Sequence, residues 1–263
     1  MQIRPFHKVS PRSDPAATAR LQKEDDPRLD GCFVGADGQL FTGDSDWKSI
    51  PPITPNNGKP ARQTLIMING ILSDLPLQMA DLQAMANTGC NVIGIHNATR
   101  GLLRDLGQCL GDKLDLKMAN NGATATTARV VQDLLQEANP PTLVGHSQGA
   151  LVLSNALKRV EEPLDNLSVV TMAGAAYTFP EGPRYKHYVN RLDIVPMASG
   201  VGPYGWAQKN VHMHYFNHSR WPSHLPPTHF GIVNYLARAI DQAWHGAQDV
   251  YIPEFGRDNA SRP

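Results

Sequence analysis

The chain has 263 residues with 24 basic and 24 acidic side chains, so its formal net charge is zero and it lacks the clustered positive charge with which proteins grip nucleic acid. Its length suits one large α/β domain that can bury a core without disulfides. Cys32, Cys90 and Cys109 make an odd set with no metal-like spacing and read as reduced thiols. The longest apolar runs stop well short of a bilayer span, and residues 1–30 lack the apolar stretch of a signal peptide. The expectation is synthesis in the cytoplasm, with export by a non-classical or dedicated route left open.

Residues 1–30 are polar and carry four prolines, as an N-terminal tail does. From Gly31 to Pro60, turn signals at Ala36-Asp37-Gly38, Pro51-Pro52 and Asn57-Gly58 punctuate short apolar pieces, which predicts a small hairpin and a leader. The main domain is expected over 61–250. Thr64 to Ile68 is an apolar run suited to a central parallel strand. A helix follows, capped by Ser73 or Asp74, with Leu75, Met79, Leu82 and Met85 on one face and Gly89 as its stop. Asn91–Ile95 reads as the next strand, and Thr124–Ala138 as a helix turning Ala128, Val131, Leu134, Leu135 and Ala138 inward. Further strands are predicted at Pro141–Val144, Leu167–Met172, Tyr185–Val189 and Val211–Phe216, with a closing helix around Ile232–Ile240. The residues after Tyr251 are polar and read as a frayed C-terminal tail, 251–263. Strands alternating with helices imply an α/β fold: a mostly parallel central sheet with helices on both faces.

The chemistry centres on Leu143-Val144-Gly145-His146-Ser147-Gln148-Gly149, where a strand feeds a G-x-S-x-G turn. Such a turn presents a serine at the tip of a strained strand-to-helix elbow. The flanking glycines are required because a side chain there would strike the neighbouring strand or helix. Gln148 to Val160 has helical spacing, with Ala150, Leu153, Ala156, Leu157 and Val160 on one face. A serine hydroxyl is a poor nucleophile by itself and needs a base, an orienting acid and an oxyanion hole. In this arrangement the acid and then the base follow the serine in chain order.

Asp193 lies just past a strand, at the carboxyl edge where ligands bind in open α/β sheets. Asp165 also satisfies the order, but it precedes its strand and would sit at the opposite edge. Five of the ten histidines fall between His212 and His229. His229, after Pro226-Pro227-Thr228 and just before the predicted closing helix, is the expected base, with His224 as the alternative. No carboxylate or cysteine pattern accompanies these histidines, so neither metal nor cofactor is expected. The backbone N–H groups of Gln148 and of Ile71, in the loop after the first core strand, are the expected oxyanion donors, with Asn69 bracing that loop.

With strand, elbow, acid and base in order, Thr64 to Trp244 resembles an α/β-hydrolase of the lipase type. Gly-His-Ser-Gln-Gly together with Asn190-Arg-Leu-Asp193-Ile-Val-Pro196 is similar to class 3 lipases, whose acid often stands in N-x-x-D-x-V-P. Those lipases usually carry serine or threonine in the oxyanion loop, where this chain has Asn69-Gly70-Ile71. The loops Asn69–Ile71, Ile93–Gly101 and Asp112–Asp115 also resemble uncharacterised bacterial hydrolase domains found in some secreted or toxin-like proteins. The resemblance implies a serine hydrolase of hydrophobic acyl esters, of effector type and able to touch a membrane surface transiently. A thioesterase or acyltransferase on the same triad, or a partner-binding protein without turnover, are the competing readings. A nucleotide-dependent enzyme is set aside, because the first core helix is not opened by G-x-G-x-x-G. Leu102, Leu103, Leu106, Leu110 and Leu114, between Thr99 and Gly122, fit a helix packed in the core or a lid over the site.

Overall fold

The computed structural model describes residues 27–70, 73–98, 121–198, 210–218 and 245–260. The expectations for Ile71, the leucine-rich stretch 99–120, His224, His229 and the helix at 232–240 lie outside these residues.

Eight strands form one sheet: β1 (Phe33–Val34), β2 (Leu40–Phe41), β3 (Gln63–Ile68), β4 (Cys90–Ile95), β5 (Thr142–His146), β6 (Ser168–Met172), β7 (Arg184–Asn190) and β8 (Val211–Phe216). Their order is β2-β1-β4-β3-β5-β6-β7-β8. Every pairing from β4 to β8 is parallel, whereas β1 runs antiparallel to both β2 and β4. The hairpin predicted in the leader therefore forms and extends the sheet, its turn carrying Asp37 and Gly38 into the left-handed region at φ 55 and 70.

The two faces follow from the alternation of strand side chains. Ile66, Ile68, Ile93, Ile95 and Leu143 join one buried cluster with Val130, Val131, Leu151 and Leu153. These last four lie on α2 (Gly122–Leu134) and α3 (Gln148–Leu157). Leu65, Met67, Val92, Val144 and Met172 join the other, with Leu82 and Met85 of α1 (Leu75–Ala86). Helices thus cover both faces, α3 is buried along its whole length, and a short α4 (Ile194–Ala198) follows β7.

One open choice is decided and two local expectations change. Asp74, not Ser73, caps α1 by accepting the Leu77 N–H at 2.9 Å. The buried face of α1 contains Gln78 and Asp81 beside Leu82 and Met85, while Leu75 and Met79 are half-buried. Burial of Gln78 is tolerated because its amide is satisfied, donating to Ile95 O at 3.2 Å and meeting His96 Nδ1 at 2.6 Å. The helix predicted to Ala138 stops at Leu134, since Ala138 and Asn139 are exposed and two prolines follow.

The largest correction is at the C-terminus. The residues after Tyr251 are not frayed but form α5 (Ile252–Ala260), reached through a single wide π-type turn, Ala247–Tyr251. Ile252 and Phe255 are buried, each worth roughly 1.5–3 kcal/mol. Polar contacts dock the helix on β7 and β8. Asp258 meets Lys186 and accepts from Tyr188 Oη at 2.8 Å, and Glu254 meets His214 Nε2 at 2.7 Å.

Candidate active site

The elbow forms where β5 ends and α3 begins. Ser147 holds φ 51 and ψ −117, a conformation that an L-residue keeps only when its surroundings enforce it. Three backbone hydrogen bonds do so: Ser147 N donates to Met172 O at 2.8 Å, and Ser147 O accepts from Ala150 N and Ala175 N, both at 3.1 Å. A Cβ on Gly145 would lie 2.7 Å from the Ala150 backbone, and one on Gly149 would be 2.8 Å from Asn69 O. Helix and strand close on the elbow from both sides, which is why both positions are glycine.

Asp193 is placed by the turn that follows β7. Asn190, fully buried, accepts the Leu192 N–H at 3.3 Å and the His218 N–H at 3.1 Å through its side-chain oxygen. Its side-chain N–H₂ donates to His218 O at 3.2 Å, tying the acid turn to the exit of β8. The Asp193 carboxylate, 2% exposed, accepts the Val195 N–H on Oδ1 at 2.9 Å. Asp165, the competing acid, is exposed ahead of β6.

The imidazole between acid and nucleophile belongs to His245. Its Nδ1 is 2.7 Å from Asp193 Oδ2 and its Nε2 is 2.8 Å from Ser147 Oγ. A carboxylate only accepts, so Nδ1 carries the proton of the neutral ring and Nε2 is left to accept the serine hydroxyl. This corrects the expectation of His229. His245 is followed by α5, whereas His229 and the helix predicted at 232–240 lie outside the described residues. α5 was illegible because Ile252-Pro-Glu-Phe-Gly-Arg-Asp-Asn-Ala has only two apolar anchors and an internal glycine. The available signal was order: His245 is the last histidine in the chain and follows every described strand.

Two further side chains hold this arrangement. His146 Nε2 donates to the backbone carbonyl of His245 at 3.0 Å, and the two rings lie 5.2 Å apart. Burial, aided by the neighbouring His245 ring, brings the His146 imidazole from its ordinary 6.5 to about 4, so it remains a neutral donor at physiological pH. Tyr251 Oη donates to Asp193 Oδ2 at 2.7 Å.

On the other side of Ser147, the exit of β3 passes close enough that a Cβ on Gly70 would be 2.9 Å from His146 Nδ1 and 3.0 Å from Ser147 Cβ. Asn69 braces this passage. Its Nδ2 donates to Gly70 O at 3.0 Å and Asn97 O at 3.1 Å, while its Oδ1 accepts the Asn97 N–H at 2.7 Å. Asn97 in turn donates to Gln148 Oε1 at 2.9 Å. The Gln148 N–H opens α3 beside Ser147, where the positive end of the helix dipole favours a developing negative charge. Ile71, the other expected donor, lies outside the described residues.

A mostly parallel sheet, a strained serine elbow between strand and helix, and acid and imidazole following in chain order decide the architecture. The fold is that of an α/β-hydrolase. Solved esterase structures align with the chain at low identity. The carboxylesterase of Mesorhizobium loti aligns with 13% identity over 60% of this chain and 81% of its own, at a TM-score of 0.40. That of Bacillus cereus shows 15% identity over 62% and 82%, at 0.41. An esterase of the bacterial hormone-sensitive lipase family shows 14% over 77% and 78%, at 0.44. No protein-family model and no curated protein matches the sequence. Among the described residues, no three His, Cys, Asp or Glu side chains gather as metal ligands, and no helix is long and apolar enough to cross a membrane.

Proposed function

We propose that the protein is a serine hydrolase of carboxylic esters with an apolar acyl group. The observation that carries this reading is the unbroken hydrogen-bond chain Asp193–His245–Ser147, with the serine held at a strained elbow. In this reading Ser147 Oγ attacks the ester carbonyl carbon as His245 Nε2 takes its proton. Negative charge develops on the carbonyl oxygen, facing the Gln148 N–H and the start of α3. The intermediate collapses, the C–O bond to the alcohol breaks, and His245 returns the proton to the leaving oxygen. Water then repeats the sequence on the acyl-enzyme, releasing the acid and free Ser147. Asp193 holds the imidazole tautomer and stabilises the imidazolium.

The substrate's apolar character is supported by side chains exposed on the same edge of the sheet: Leu77, Tyr177, Leu192, Ile194 and Met197, with Ile194 72% exposed. Such a rim suits an acyl chain and, in the lipase form of the reading, brief contact with a membrane surface. Rates on p-nitrophenyl esters from acetate to palmitate, with wild type beside Ser147→Ala, test this. Serine-dependent turnover that rises with chain length is expected. Turnover that survives Ser147→Ala, or none from folded wild-type protein, overturns it.

A further inference from the structure

Resting on that hydrolase reading, we infer that Tyr251 is a positioning residue of the same site. Its phenol locks the Asp193 carboxylate against His245 and shares that carboxylate's charge, extending the chain to Ser147–His245–Asp193–Tyr251.

Three observations carry this. First, the direction of the hydroxyl is fixed: Tyr251 Oη accepts the Asn190 N–H at 3.2 Å, so its own hydrogen goes to Asp193 Oδ2, 2.7 Å away. Both partners of the phenol therefore belong to the acid turn. Second, Asp193 Oδ2 accepts from His245 and Tyr251 together, while Oδ1 accepts the Val195 N–H. Three donors in fixed places leave the carboxylate no free rotation. Third, the ring is fully buried, edge-on to Phe216 at 5.3 Å and to His146 at 6.3 Å. A phenylalanine would fill that space equally well, so what the hydroxyl adds is directed at Asp193. One short segment thus supplies both the imidazole and the brace of its acid, His245 standing just before the turn that Tyr251 closes.

Burial, and after it the Asp193 charge, pushes the Tyr251 phenol far above its usual range, so it remains a neutral donor wherever the site works. Among the described residues, the titratable groups at the His245 end of the site include Asp193 from the turn after β7, His146 from β5, neutral above about pH 4, and Tyr251 from its own segment. A hydrogen bond to a carboxylate stabilises the anion and draws charge from its other partner. Without the phenol, Asp193 presents more charge to His245, and the imidazolium holds its proton more tightly. The acid limb of kcat/KM, set by that imidazolium, then moves to higher pH.

The test compares full-length wild type with Tyr251→Phe by two readouts. One is the NMR titration of the His245 imidazole; the other is the pH profile for p-nitrophenyl butyrate, with Ser147→Ala as control. In Tyr251→Phe the His245 midpoint and the acid limb both rise by roughly half a pH unit or more, and kcat falls several-fold with KM little changed. Replacing Tyr251 with 3-fluorotyrosine, a stronger donor of the same shape, moves the midpoint downward and serves if the phenylalanine variant does not fold. A His245 midpoint unmoved by either substitution, with hydrolysis still dependent on Ser147, overturns the role of Tyr251 alone. Midpoints that shift as stated in a wild-type protein that hydrolyses no ester overturn the hydrolase reading instead.

Discussion

Ser147 stands where side-chain chemistry and backbone strain meet. A φ of 51 costs an ordinary residue about 1–3 kcal/mol, and glycine escapes most of that cost. Ser147→Gly is therefore expected to melt above Ser147→Ala in thermal denaturation, while both lose ester turnover by about a thousandfold or more. Equal melting temperatures would show that the elbow is not strained. For the base, His245→Ala is expected to remove turnover as completely as Ser147→Ala, because triad members act as a unit. His229→Ala is expected to keep it; initial rates on p-nitrophenyl butyrate for the two variants separate the assignments. At this scale the nucleophile and the acid were legible, since each sits in a motif tied to a strand end. The base was not. Four histidines after β8 satisfy the order equally, and only the three-dimensional path of the chain selects among them.

The elements show the same division. Strands β3 to β6 could be read because a buried parallel strand must be an apolar run, and the elbow helix because its glycines leave no alternative. Gly149 makes the point energetically. A methyl group there would press on the carbonyls of Ile68 and Asn69, and overpacking of this kind costs about 1–3 kcal/mol or more. Gly149→Ala is expected to lower thermal stability accordingly, and a melting curve matching wild type would refute the close packing of α3 on β3. α5 was illegible for the opposite reason. Its apolar face is only Ile252 and Phe255, with Glu254 and Asp258 adding polar contacts to β7 and β8, and sequence periodicity detects only longer apolar faces. Deleting residues 252–263 is expected to abolish ester turnover while circular dichroism still shows the sheet, because His245 and Tyr251 lose their anchor. Unchanged turnover would mean that the segment from 245 to 251 places itself.

Across the molecule, acid acts through histidines that the sheet buries uncharged. Burial brings both His146 and His187 from an ordinary 6.5 to about 4. The unfolded chain therefore takes up protons between these values that the folded protein refuses. More protons bound on unfolding means that stability rises with pH across that window. Folding stability is expected to fall as pH drops from about 6.5 to 4, with Thr171 still hydrogen-bonded to the His187 ring at 2.7 Å in the neutral form. Denaturant midpoints at pH 7, 5.5 and 4.5 measure this, and His187→Gln should flatten the slope. A midpoint independent of pH would argue against neutral burial.

Asp30 ties residue 98 to residue 122, accepting the Ala98 N–H at 3.1 Å and the Gly122 N–H at 2.6 Å, while Asn121 donates to Asn97 at 3.1 Å. These contacts fix the width of the gap through which everything between 98 and 121 must leave and return. Closing a longer or shorter loop across a gap of set width changes the free energy only slowly with length. The length of chain joining residue 98 to residue 121 can therefore change while Asn97, Gln148 and the nucleophile beside them keep their places.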